Sequence, residues 1–342
     1  MQYTDLLLRY SFMKKTTLFL CIQFILLTAF SQKMRKPAPT PVVKENRAIS
    51  KSDFTKLRML EDTLAELSYS FTTDTLLAQR KKSCYSFIPK LVSALKADNS
   101  FYYPFDSLTT VAKVYAPDSS FRIFTWQLVL PGGKFRYYGV MQMKSIKMKI
   151  FPLFDGSDTM AYHTQRVTSK DAWYGALYYN VILTMAGKKA VYTIFGFEGA
   201  DYITRRKVLE ILTFDETGNP KFGAPLFYIH QEEDTAHYKR NDTLHRFFIE
   251  YKYSAATVLN YDQAMQMIVF DHVTPPNEKA KGATFSYIPD GTYEGFKWQN
   301  DRWNWVPTVF TFAINEMDNP PIPAPLFGIP SRQPELPKEG PK

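Results

Sequence analysis

The sequence predicts a mainly β protein, an antiparallel meander, sandwich or open barrel, with a helical hairpin in front of it. Three observations carry this. From about residue 120 apolar and polar residues alternate with a period of two, as side chains do along a strand. Turn signals recur every few residues, so that successive strands pair as hairpins, and no strand–helix–strand rhythm appears. Aromatic residues make up 16% of the 342 residues, with 27 Phe and 22 Tyr against only 15 Gly, and such side chains favour pleated, half-buried surfaces.

The hairpin is expected over residues 51–98. Ser52 or Asp53 can cap a first helix, in which Leu57, Leu60, Leu64 and Leu67 form one stripe. Asp74 can cap a second, interrupted or kinked at Pro89. An antiparallel β domain is expected over 99–310. In "FRIFTWQLVL" Phe121, Ile123 and Thr125 face one way, and Arg122, Phe124, Trp126 and Leu128 the other. After a turn at Pro131-Gly132-Gly133, Met141 and Met143 alternate with polar neighbours. Ile146, Met148 and Ile150 against Lys147 and Lys149 then suggest a strand with one wet face. Further strand pairs turn at 186–188, at 215–220, at Asp262-Gln263 and at Asn300-Asp301, giving ten to twelve strands.

The ends read differently. Met13-Lys14-Lys15, the apolar run from Leu18 to Leu27 and the small residues Ala29 and Ser31 compose a secretory signal peptide, residues 1–31. Ten apolar residues are too few to anchor in a membrane. Residues 32–50 are a Pro- and Lys-rich linker, and 311–342 a Pro-rich tail. The expected location is therefore outside the cytoplasm, periplasmic or envelope-associated. The formal net charge of +9 is scattered. An exported chain with scattered lysines points away from nucleic acid and toward an envelope protein or a glycan as partner. Beyond the leader Cys84 is the one cysteine. It is either a reactive thiol favoured by Lys81 and Lys82 or a small buried hydrophobe.

Several phrases in order, "APDSSFRIFTWQ", "WYGALYYNVI", "YTIFGFEGADYITRRKVLEILTFD", "IEYKYSAATVLNYD", "MIVFDHVTP" and "IPDGTYEGFKWQNDRW", resemble a family of exported proteins of uncharacterised function from Bacteroidota-type bacteria. The resemblance spans about residues 100 to 305. It implies export. It brings no activity, ligand or catalytic residue.

No Gly-x-Ser-x-Gly elbow, no phosphate-binding loop and no dinucleotide fingerprint occurs, so no cofactor and no serine nucleophile is expected, and a glycosidase-type carboxylate pair stays open because the fold sets its spacing. His230 and His237 flank an acidic stretch with His245 nearby, but a gap of seven does not suit helical zinc ligands. No metal is assigned. The remaining candidates lie late in the chain. Asp271 and His272 stand side by side at the end of an apolar run, before Pro275-Pro276 stops the strand. Asp290-Gly291 suits a turn with positive φ, and Glu294 follows. Asp271, His272, Asp290 and Glu294 are the candidate acid–base set of a strand-end rim. Tyr293, Trp298, Trp303 and Trp305 are the candidate ligand-stacking residues, the alternative being core and cross-strand packing. The residues favour a non-enzymatic binding or assembly module, with a hydrolase using that rim as the competing class.

Overall fold

The computed structural model describes residues 48–159, 165–230 and 242–310. The expected leader, nearly all of the linker, His237 and the Pro-rich tail lie outside them. Helix α1 spans Lys51–Thr73 and α2 spans Leu77–Leu95. Ser50, rather than Ser52 or Asp53, caps α1. Its hydroxyl accepts the Asp53 N–H and donates to the Asp53 carboxylate, satisfying a donor the first turn leaves open. Asp74 ends α1 and accepts the Leu76 N–H, while α2 starts without a side-chain cap. Pro89 sits on the exposed side of α2, and the helix runs through it unbroken.

The mainly β expectation is correct, and among the described residues the strands form three sheets with no closed barrel. Sheet I is β1 (Ala112–Tyr115), β2 (Phe121–Val129), β3 (Phe135–Met143) and β4 (Ile150–Phe154), in that order and antiparallel. Sheet II takes β5 (Thr168–Ser169), β6 (Leu177–Ala186), β7 (Lys189–Glu198), β8 (Thr204–Phe214) and β9 (Pro220–Phe222) in the order β5-β9-β8-β7-β6. Sheet III takes β10 (Phe227–Ile229), β11 (Asp242–Leu244), β13 (Leu259–Asp262), β14 (Met267–Thr274), β15 (Ile288–Gln299) and β16 (Arg302–Val306), ordered β11-β10-β16-β15-β14-β13, parallel only between β10 and β16. Strand β12 (Arg246–Lys252) joins sheet II by pairing with β8. The strands beyond the ten to twelve expected are mostly of two to four residues, such as β1, β5, β9, β10 and β11, too short for alternation to register.

Three cores stack these layers in series. Leu57, Leu64, Phe71, Phe87 and Leu91 of the helices pack on Phe124, Trp126 and Leu128 of sheet I. The opposite face of sheet I, with Phe121, Ile123 and Met141, packs on Tyr192, Ile194, Val208 and Leu212 of sheet II. The far face of sheet II, with Phe195, Leu209, Phe247 and Ile249, packs on Ile268, Phe270, Phe296 and Trp303 of sheet III. The two faces read in β2 are therefore both buried, one under the helices and one under sheet II. Cys84 lies in the first core, and burial pushes its thiol up to about 11, which decides for the inert reading.

One expected strand is absent. Residues 144–149 bend, and β4 starts only at Ile150. The loop is drawn to the end of α2 instead, where the Ile146 carbonyl accepts the Asn99 N–H and Lys147 pairs with Asp98 at 2.8 Å.

Two buried arginines tie the layers. Arg122 is fully buried in β2. It donates to the carbonyls of Ser100 and Tyr103, to Gln142 and to the Tyr115 hydroxyl, and four rings surround its guanidinium: Phe101, Phe105, Tyr115 and Phe124. Arg246 sits where the outer edge of β8 changes partner. β12 occupies that edge from Thr204 to Glu210 and β9 from Leu212 onward. Its guanidinium pairs with Glu210 at 2.9 Å and donates to the carbonyls of Arg166 and Phe222, closing the gap between the two strands.

Both partners of the Arg246–Glu210 pair are about 1% exposed. Removing one charge strands the other in a dry site, which costs about 3–5 kcal/mol. Glu210→Gln should lose stability of that order in urea denaturation. The double change Glu210→Leu with Arg246→Met leaves no orphan charge but takes the donor from the Arg166 and Phe222 carbonyls, so part of the loss should remain, about 1–3 kcal/mol for each carbonyl left open.

A carboxylate–histidine rim on sheet III

The rim grows out of an irregularity in the β14–β15 ladder. Asp271 pairs with Tyr293 and Val273 with Pro289, so His272 alone faces the three residues Asp290, Gly291 and Thr292. Such a bulge bends a strand and re-aims its side chains. Gly291 takes φ +89°, which a β-carbon would disfavour. The positive φ expected at Asp290-Gly291 is present, but it makes a bulge inside β15, not a chain reversal. The apolar pattern continues on both sides of it, so the ladder resumes.

Asp290 is held by Thr292, two residues on. One carboxylate oxygen accepts both the N–H and the hydroxyl of Thr292, at 2.9 and 2.7 Å. The other lies 2.7 Å from His272 Nδ1. His272 Nε2 stands 3.7 Å from Glu294 Oε1, and Glu294 Oε2 accepts the Trp305 indole N–H at 3.1 Å. The result is a line of four side chains, Asp290, His272, Glu294 and Trp305, open to solvent at its Asp290–His272 end. Burial pushes the Asp290 carboxyl up, but the bonds from Thr292 and His272 outweigh it, and the net direction is below the ordinary value. Glu294 moves the other way. Burial raises it, and the Trp305 N–H and His272 only partly offset that.

Of the four acid–base candidates, the fold brings together His272, Asp290 and Glu294. Asp271 parts from them, because neighbouring strand residues point to opposite faces. It is buried, its carboxylate accepts the Val258 N–H at 2.6 Å, and its own N–H bonds the Val258 carbonyl. Its role is to lengthen the β13–β14 ladder.

The aromatic candidates divide as well. Trp303 is fully buried and donates its indole N–H to Thr193 across the core, so it is not a ligand platform. Trp298 packs edge-on against it with centroids 5.2 Å apart and stays half-buried. Trp305 is also half-buried, beside Glu294. Tyr293 lies edge-on to Phe310 and is not joined to the carboxylates by any hydrogen bond described. Among the described residues no group of His, Cys, Asp and Glu is placed to hold a metal ion. His230 stacks on Tyr228, and His245 has a buried Nδ1 without a hydrogen-bond partner among the described residues.

Reading the sequence missed a second polar cluster, inside the molecule. Arg206 pairs with Glu250 at 2.6 Å and Glu198 at 3.2 Å, and Tyr174 and Thr284 donate to those glutamates. These charges alternate with apolar residues along β8 and β12 and so look like a wet face. The signal that they are buried is the cross-strand pairing of opposite charges, Arg206 opposite Glu250 and Glu210 opposite Arg246, which needs the register to be seen.

A shallow groove of about 270 Å³ lies elsewhere, lined by Arg166, Val167, Thr168, Ser169, Ala172 and Lys221. Neither a carboxylate nor a histidine lines it. Comparison of the chain with protein-family models, with curated proteins and with solved structures finds no match.

Because the folded Asp290 has a depressed pKa, its contribution to stability is present above the unfolded carboxylate value of about 3.9 and is lost as pH falls through the lower folded value. His272→Ala removes one of the bonds responsible. The stability difference between wild type and this variant should therefore shrink as pH drops below about 4. Urea midpoints measured from about pH 4 downward check this, and a difference that grows over that interval would contradict it.

Proposed function

We propose that the protein is an exported, non-enzymatic binding module of the bacterial envelope, and that the rim of His272, Asp290, Glu294 and Trp305 takes a hydroxyl-rich ligand of the glycan class. The observation that carries the reading is the line of carboxylates and an imidazole that runs from the open Asp290–His272 end to the half-buried Trp305 indole. Carboxylates accept from sugar hydroxyls, and an indole offers an apolar face. The sequence supports export through its leader-like first 31 residues.

A hydrolase is the second reading. It is favoured by one specific feature, the orientation of His272 by Asp290, since a carboxylate on Nδ1 is how a general base is commonly aimed. Against it, no Ser, Cys or Thr hydroxyl or thiol is bonded to His272 among the described residues. The Thr292 hydroxyl is committed to Asp290.

Calorimetry with a panel of soluble bacterial cell-wall glycan fragments tests the binding reading. At least one should bind to the wild type, Trp305→Ala should weaken it about tenfold or more, and Trp305→Phe should restore most of the loss. Turnover of chromogenic esters or glycosides that disappears in His272→Ala would instead establish the hydrolase.

A further inference from the structure

The run Arg205-Arg206-Lys207 in β8 divides its charges between two faces. Arg206 points toward sheet I and is neutralised by Glu198 and Glu250. Its two neighbours point to the other face, and no carboxylate stands within ion-pair distance of either among the described residues. They rest on rings instead. Arg205 lies 4.2 Å from the Tyr253 centroid, and Lys207 lies 4.7 Å from Tyr179 and 5.8 Å from Phe197. The charge of Asp271 reaches Lys207, but its carboxylate is held by the Val258 N–H and forms no ion pair with the lysine.

This face of sheet II is covered by sheet III over Leu209, Phe247 and Ile249, and past the Val258–Asp271 strand end it forms a shelf. Ile203 is 58% exposed, Val258 52% and Tyr253 42%. Hydrogen bonds join these segments: the Tyr253 N–H donates to the Ile203 carbonyl, and the Tyr179 hydroxyl to the Leu259 carbonyl next to Val258. Two unneutralised cations thus lie among exposed aliphatic and aromatic side chains.

We infer that this shelf docks an acidic polypeptide segment that also carries apolar side chains. Carboxylates of the partner would supply what Arg205 and Lys207 lack, and its apolar residues would cover Ile203 and Val258. Charge complementarity selects the sign of the partner. The apolar neighbours select its class. A glycan would stack on ring faces, but those of Tyr179 and Tyr253 already carry a cation. The shelf is independent of the rim proposed above, and neither depends on the other.

The test is fluorescence polarisation of the full chain with a fluorescein-labelled peptide of alternating glutamate and leucine. The wild type should bind, more weakly as salt rises. The pair R205E/K207E should bind about tenfold or more weakly, whereas K188E/K189E, on the β6–β7 turn, should leave binding unchanged. Far-UV circular dichroism confirms folding, and R205Q/K207Q replaces the charge reversal if that variant unfolds. I203S/V258S, with all charges kept, should also lose several-fold. The inference is overturned if the wild type does not bind, if the K188E/K189E pair loses as much as the shelf pair, or if polygalacturonate binds more tightly than the peptide through Arg205 and Lys207.

Discussion

One edge of β8 has to serve two strands, and the rest of sheet II is arranged around that constraint. β12 and β9 arrive end to end on the same side of β8. Between them backbone groups would be left open in a dry interior, where an unmade hydrogen bond costs about 1–3 kcal/mol. A long, forked donor is the side chain that can reach several acceptors at once. Arg246 does this, bonding carbonyls on the β9 side and in the segment before β5 while Glu210 balances its charge. Fixing β12 there also sets the row Phe247, Ile249 and Tyr251 against sheet III. The third layer and the rim it carries are therefore positioned through this junction.

Much of the fold was legible because hairpins are local. The β6–β7 and β15–β16 pairs turn at the residues expected, and the alternation in β2 divides its side chains as read. Alternation tells which residues share a side. It does not tell what covers that side. Both faces of β2 are buried, and the charged alternation of β8 and β12 faces a core. Stacking of three sheets is set by long-range packing, for which a single strand carries no mark. The segment 144–149 failed for a related reason. Its apolar–lysine alternation is real, but the unpaired N–H of Asn99 and the charge of Asp98 captured it.

The rim was half legible. Gly291 marked a positive φ, and His272, Asp290 and Glu294 were recognisable as groups near a strand end. Which acid meets the histidine was not, since that follows from a register slip of the β14–β15 ladder. Without the bulge, strict alternation from the Asp271↔Tyr293 pair would set His272 opposite Thr292. The slip brings Asp290 to Nδ1 and leaves Nε2 facing Glu294. It also separates Asp271 from its neighbour, although the two adjoin in sequence.

The enclosure of Arg122 has a consequence for how the first two layers respond to their surroundings. Its acceptors are carbonyls, an amide and a phenol, and its neighbours are rings. None of these gains a proton in mild acid, and ions in solution do not reach a fully buried site. The connector from Ser100 to Tyr103 is thus clamped to sheet I by contacts indifferent to the acidity and salinity of the surrounding solution.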